Sequence, residues 1–436
     1  MRNRWSGMKA LTQQTALVFA GKMTGACLGF AMSLIVARRM GPEEFGLFSL
    51  FIVILILGND ILGDGLSPGV VRFYSMYRQS DPPKAAEVLS NALALRVMLG
   101  LPVVVLGIAG SVYFANVVSD RSDYVWPVVL GLIGSFGAAL WSFALCVWQS
   151  REEFAVYGGM VALVNLLRIA SVPLLLWAGW LSLGSVMGMH VLFYYACTVG
   201  GLWLLRPHLS MYRLDKSLLR ELLRFSKWPA MASLFFILQI NLGVPVLSYL
   251  AGAREAGLYG AASSLLMGVD FLTVSLVTTL LPKVTQLTGL DQCRSYVQRS
   301  FPLYALIAVA LLPVLYVARP LVLALFGPAY EGTILIFQVL FLGTLGTLVT
   351  HPLYLVLYTM NRPQWFGLIQ GFALLGWILA GMFLIPAYGA LGAAWTTLIA
   401  RLLQSLAIVV ILGFALGFLS SSKRRPSPLA EWIRGA

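Results

Sequence analysis

Long apolar runs follow one another along almost the whole chain, separated by short clusters of glycine, proline and charged residues. A helix needs about 20 apolar residues to cross a hydrocarbon core of ~30 Å, and each run is long enough. The pattern predicts twelve membrane-spanning helices, at 11–37, 44–76, 86–115, 125–149, 154–178, 181–205, 222–250, 256–286, 296–318, 331–360, 364–385 and 389–418. Between the first two lies ARRMGPEEFG, Ala37 to Gly46, where Gly41-Pro42 must end one helix and Glu43 and Glu44 suit the positive end of the next. A related hinge recurs 211 residues later, with Glu44-Phe45-Gly46-Leu47-Phe48 set against Glu255-Ala256-Gly257-Leu258-Tyr259. The repeat predicts an N-terminal lobe over 1–210 (helices 1–6) and a basic cytoplasmic connector over 211–227. A C-terminal lobe over 228–420 (helices 7–12) and a basic disordered tail over 421–436 complete the chain.

Composition fixes the class. Hydrophobic residues make up 59% and charged residues 11% of the chain, with a mean hydropathy of +0.85, against about 25% charged in soluble domains. This is an all-α integral membrane protein, and the segments left between the runs are too short for a soluble domain. The basic start leads into a run longer than a signal-peptide core and lacks a small-residue cleavage site, so the first helix is expected to stay. Cys27, Cys146 and Cys197 fall in apolar spans, where packing is the expected role, and Cys293 in a loop; none has metal or disulfide spacing. The net charge of +13 does not point to nucleic acid, because of the 30 lysines and arginines only Arg38, Arg39, Arg121, Arg254 and Arg319 fall in the loops of one side. That asymmetry predicts both termini in the cytoplasm.

Polar residues inside the spans are the candidate chemistry. Gly21, Gly25, Gly29 and Ser33 form a small-residue stripe that admits a neighbouring helix, with Lys22 one step off it, either facing the bundle or snorkelling to headgroups. The second span carries Asn59, Asp60 and Asp64, the two carboxylates on one face, followed by Gly63, Gly65, Ser67, Pro68 and Gly69, which predict a kink or local unwinding. The acid pair reads either as an ion-coupling site or as a structural pair. Arg96 is expected to snorkel. Asn165 and Arg168 share a face deep in the fifth span, and Arg206, Arg213, Lys216, Arg220, Arg224 and Lys227 form a basic amphipathic segment expected against anionic lipid. In the second half, Gln239 and Asn241 precede Pro245, Asp270 lies deep in the eighth span, and Thr344, Thr347, His351, Tyr354 and Tyr358 form a stripe that is either structural or sugar-facing. Thr397, Arg401, Gln404 and Ser405 share a face of the last helix.

A charge at the bilayer centre costs about 2.5–3.5 kcal/mol, so Lys22, Asp60, Asp64, Arg168, Asp270 and Arg401 would together cost on the order of 15–20 kcal/mol against lipid. They are expected to pair or to line a hydrated cavity, and an arginine near the midplane suits a phosphate. With no P-loop, HExxH or CxxC and three scattered histidines, catalysis is not expected, nor is any cofactor or metal. Two lobes with a polar midplane outline an alternating-access transporter.

ARRMGPEEFG, the related REAGLYGAASSL, Leu281-Pro282 and LFGPAY, in that order and spacing, resemble the polysaccharide-export flippases. These are the oligosaccharide branch of the multidrug, oligosaccharidyl-lipid and polysaccharide exporter superfamily, and the similarity covers nearly the whole chain. The resemblance implies two six-helix lobes in a V. It implies passage of a polyprenyl-pyrophosphate-linked oligosaccharide from the cytoplasmic to the outer leaflet of a bacterial inner membrane. Lys22, Arg168 and Arg401 are then the candidates for a basic cavity, and Asp60, Asp64 and Asp270 for coupling to protons or sodium. Asn59, Asn165, Gln239, Asn241, His351 and Gln404 are expected to line the cavity. Membrane lipid, a polysaccharide polymerase and glycosyltransferases are the implied partners. A cation-driven exporter of small molecules and a non-transporting scaffold for glycan-assembly enzymes are the competing readings.

Overall fold

A computed structural model describes residues 2–117, 122–209, 215–284, 287, 290–357 and 364–415. Among them every regular element is helical, and the chain divides into two compact units, Met1–Ile237 and Leu238–Ala436. Among the described residues eight helices are long and apolar enough to cross a membrane, or nine if Ser233–Asn241 and Gly243–Leu250, bent by 43°, count as one. Two of these stretches, Met23–Tyr77 and Gly367–Gly413, run to 55 and 47 residues, far more than one crossing takes.

The first unit begins with α1 (Arg2–Asn59), which is folded at Gly41 (φ 81°, ψ 176°). That backbone region is essentially restricted to glycine, and Pro42 then pre-sets the next turn. Ahead of the fold, α1 packs on α5 (Phe154–Trp177) through its small residues. A Cβ at Gly21 would lie 2.7 Å from Gly158 Cα, and one at Gly25 2.8 Å from Asn165 Nδ2. The stripe stops there, since Gly29 faces open space. Beyond the fold, Phe45, Phe48 and Phe51 pack in sequence with tilted rings, and Phe48 and Phe51 meet His190 of α6 (Leu183–Leu205) edge-on. His190 is buried there as packing.

After α1 come a π-turn (Asp60–Asp64), α2 (Ser67–Tyr77), α3 (Pro82–Val117) and α4 (Val125–Ser150). Their core joins Phe73, Tyr74, Leu89, Phe143 and Val147. The connector differs from expectation. At the start of α7 (Lys216–Asn241), Leu218 and Leu222 are buried in this same core, while Lys216, Arg220 and Arg224 are exposed. The apolar face expected on lipid is therefore used by the protein. Asp215 fastens the joint: its N–H donates to Asn91 Oδ1 at 3.0 Å. The Ser217 hydroxyl and N–H both donate to its carboxylate, holding it below the usual aspartate range. Arg213 and Lys227 lie outside the described side chains.

The second unit holds α8 (Gly243–Leu250), α9 (Ala253–Leu265), α10 (Met267–Val284), α11 (Leu290–Leu311), α12 (Ala318–Phe326), α13 (Thr333–Val356) and α14 (Gln364–Ala415). Gly252 (φ 99°, ψ 167°) takes the conformation of Gly41 at the 211-residue offset of the sequence repeat, and Gly327 (φ 95°, ψ 175°) takes it again in LFGPAY. α14 folds at Gly389, where Glu255 Oε2 accepts the Ala390 N–H at 2.9 Å. A hinge acid of α9 thus caps the second segment of α14. Cys293 corrects one expectation: it is buried on α11 rather than in a loop, because the helix begins at Leu290. Cys27 is exposed, while Cys146 and Cys197 are buried.

Candidate functional site

The break in the second span has a local cause. Pro68 lacks an N–H and cannot bond the Asp64 carbonyl, so the helix leaves α geometry one turn earlier. The Gly65 N–H reaches back to the Asp60 carbonyl, the five-residue bond of a π-turn. The Gly63 carbonyl accepts from Leu66 N–H, the Ser67 hydroxyl and Arg96 Nη2, at 3.1, 3.2 and 3.1 Å.

Arg96 does not snorkel. It is 0% exposed, and Nη2 also donates to Ser67 Oγ at 3.1 Å while Nη1 donates to the Ala92 carbonyl at 3.4 Å. Its guanidinium lies 5.2 Å from the centre of the Phe143 ring. The Gly63 carbonyl of the π-turn and the Ser67 hydroxyl, rather than the headgroup region, accept from its Nη2, while Nε is buried with no hydrogen-bond partner.

In front of this turn lies a cavity of about 320 Å³ inside the first unit. Asn59, Asp64 and Ser67 line it from the broken span, Trp141, Ser142 and Cys146 from α4, Tyr157, Asn165 and Arg168 from α5, and Tyr194 from α6. The Asn59 amide bridges the two acids, donating to Asp60 Oδ1 at 3.4 Å and Asp64 Oδ2 at 3.3 Å. Asp64 thus faces the cavity, and Asp60 is tied to it through Asn59. Also lining it, the Arg168 guanidinium stacks over the Tyr194 ring at 3.9 Å, and Nη1 donates to Asn165 Oδ1 at 3.3 Å. Nε and Nη2, the two donors of one guanidinium edge, are buried with no hydrogen-bond partner. An unmade bond on a buried charged donor costs more than an ordinary bond gains, so this edge is a demand for an acceptor.

The polar residues of the second unit form their own group. Arg401 Nη1 donates to the Leu340 carbonyl at 3.3 Å and to Thr344 Oγ1, its stem passing Gly343, where a Cβ would come within 3.2 Å. Gln239 Nε2 donates to Gln404 Oε1 at 3.4 Å, and Thr397 is bonded by both Tyr259 and Trp377. Asp270 is exposed on α10 and within electrostatic reach of Arg401. His351 stacks on Tyr354 with ring centres 6.1 Å apart, and Asn241 is half-buried at the end of α7. Lys22 lies outside the described side chains.

Within the first unit the structure therefore gathers Asn59, Asp64, Asn165 and Arg168 around one cavity, brings in Ser67 from the predicted kink, and adds Tyr157 and Tyr194, which the sequence reading did not single out; Arg96 stands behind the turn, bonded to Ser67. Tyr157 had a detectable signal: with Val161, Val164, Asn165 and Arg168 it forms one stripe of α5 at helical spacing. No metal-holding group of His, Cys, Asp or Glu occurs among the described residues.

A family model described as polysaccharide biosynthesis protein matches residues 11–288. Among curated proteins, none matches the sequence. Solved structures do. A multidrug resistance MATE family transporter of the MOP superfamily, inward-facing, is 14% identical with a TM-score of 0.75 over 91% of this chain and 96% of that one. The lipid II flippase MurJ in an inward closed conformation is 13% identical, with a TM-score of 0.74 over 96% of both chains. A MOP superfamily transporter from Pyrococcus furiosus, described as having a binding pocket of reversed polarity, is 14% identical, with a TM-score of 0.63 over 92% and 93%. These likenesses establish the fold.

Proposed function

The chain belongs to the polysaccharide biosynthesis protein family, and from that premise we propose that it is an alternating-access transporter for a polyprenyl-pyrophosphate-linked oligosaccharide. In this reading the substrate passes from the cytoplasmic to the outer leaflet of a bacterial inner membrane for surface polysaccharide assembly. The observation that carries it is the edge of Arg168. Asn165 and Tyr194 hold the guanidinium in place, and its Nε and Nη2 are left without a partner beside a cavity. Two parallel donors match two oxygens of a phosphate.

Arg401 and Lys22 are assigned to the same basic pathway, with Gln239, Asn241, His351 and Gln404 as further lining. About twelve crossings in two six-helix lobes follow if the folds at Gly41 and Gly389 each separate two crossings and α9–α10 is one broken crossing. Both termini then face the cytoplasm. Asp60, Asp64 and Asp270 are assigned to coupling with protons or sodium, in which case Asp64→Asn flattens the pH or sodium dependence of transport in vesicles. The direct partners are the lipid-linked saccharide and membrane lipid, with a polymerase and glycosyltransferases acting before and after it.

Neutralising Arg168 and Arg401 in cells is expected to abolish surface polysaccharide while leaving the protein in the membrane. Unchanged export in both variants removes them from the mechanism. A second reading, a cation-coupled exporter of small molecules, draws on the Asp64 carboxylate facing the same cavity. Efflux of a lipophilic cation that depends on Asp64 and ignores Arg168 would favour it.

A further inference from the structure

The cavity of the first unit carries opposite charges that do not neutralise each other. Asp64 and Arg168 both line it, yet no ion pair joins them among the described residues. Asp64 accepts from the Asn59 amide, and Arg168 gives one donor to Asn165 and keeps two without partners. A site for phosphate alone gains nothing from a carboxylate, which repels the anion. A site for a cation gains nothing from a guanidinium with donors to spare. A ligand with an anion at one end and hydrogen-bond donors at the other satisfies both.

The remaining lining narrows the chemistry. Asn59 and Ser67 offer polar groups beside Asp64, and Tyr157 offers a flat, half-buried ring within electrostatic reach of it. Hydroxyls around a rim with C–H groups on the faces describe a pyranose ring, which takes amides and carboxylates at its edge and an aromatic ring on its face. Size agrees: at ~30 Å³ per water, about 320 Å³ holds on the order of ten waters. One sugar ring with its phosphate fits that space.

We propose that this cavity binds a glycosyl phosphate, with Arg168 on the phosphate and Asp64 accepting from hydroxyls of the attached sugar ring. The proposal rests on the reading of Arg168 as an anion site, and it gives Asp64 a role in sugar selection in addition to the one assigned to it above.

The test is calorimetric titration of the full-length protein in nanodiscs with inorganic phosphate, a methyl hexopyranoside and hexose 1-phosphate. Hexose 1-phosphate is expected to bind about tenfold or more tightly than inorganic phosphate, the increment that a hydrogen bond to a charged group supplies. Asp64→Leu should erase that advantage and keep phosphate binding, while Asp64→Asn, which retains an acceptor, should keep part of it. A wild-type protein with no preference, or an advantage that survives intact in Asp64→Leu, overturns the proposal and leaves the anion site standing. Should Asp64→Leu lose phosphate binding through misfolding, Asp64→Asn decides: an undiminished ratio there overturns the proposal. Phosphate binding unchanged by Arg168→Gln overturns the anion reading beneath it.

Discussion

Arg96 offers a sharp test of how the broken span is held, through the pair Arg96→Met and Arg96→Lys. Two of its bonds, to the Gly63 carbonyl and Ser67 Oγ, cross from α3 to the π-turn and its exit. At about 1.5–3 kcal/mol for each bond made by a charged donor, the crossing contacts contribute roughly 3–6 kcal/mol. Against them stands the cost of keeping a guanidinium at 0% exposure with no acid within ion-pair range among the described residues, several kcal/mol for a buried ion. Methionine gives up the bonds and the burial cost together. It orphans no acceptor, because the Gly63 carbonyl keeps the Leu66 N–H and the Ser67 hydroxyl. Its net loss should stay within about 1–2 kcal/mol. Lysine keeps a buried charge but lacks the planar fork that reaches two acceptors at once and stacks on Phe143. It should therefore be the worse substitution by about 2–3 kcal/mol, or roughly 5–10 °C in a domain of this size. Thermal unfolding of the purified protein in detergent reads the order directly. Lysine equal to wild type would return Arg96 to a snorkelling role, and methionine clearly below lysine would mean that the charge itself stabilises the turn.

Three further outcomes follow from the packing. Gly21→Val should destabilise the protein by about 1–3 kcal/mol through overpacking, since even a Cβ lies 2.7 Å from Gly158 Cα, whereas Gly29→Ala should be neutral because nothing lies within 4 Å; paired melting curves check both. Glu255→Ala removes the cap on Ala390 and should cost about 1 kcal/mol, with faster amide exchange at 390–393 and not at 364–370. Asp215 is held below its ordinary pKa by Ser217, so its contribution is present above the unfolded value of ~3.9 and lost as pH falls through the folded value. Protease cleavage of the connector should accordingly be unchanged from pH 8 to 5 and rise only below about pH 4, and Asp215→Asn should abolish that rise.

The polar cluster of the second span was legible because Asn59, Asp60 and Asp64 interrupt an otherwise apolar run and Pro68 follows at a spacing that withdraws a hydrogen bond. The hinges at Gly41 and Gly252 were legible as a repeat, and the structure gives both the same glycine-only conformation. Arg96 was not legible. A single arginine in an apolar helix carries no mark of the carbonyl it will meet, and that carbonyl is exposed only by the π-turn of a different span. Tyr194 was hidden for a similar reason, since its value to Arg168 lies in a ring face that only tertiary packing assigns. The connector's destination was equally ambiguous: Leu218 and Leu222 give an amphipathic period whether lipid or protein covers them, and the core of the first unit does.

The most direct measurement of the central claim is the movement of a fluorescently labelled polyprenyl-pyrophosphate-linked saccharide between leaflets of liposomes containing the purified protein. Wild type is expected to equilibrate the label far faster than protein-free vesicles, and Arg168→Gln to lose at least tenfold of that rate, the effect of removing a charge-assisted contact. Liposomes with wild-type protein that flip no faster than empty ones, or an Arg168→Gln rate equal to wild type, would contradict the account.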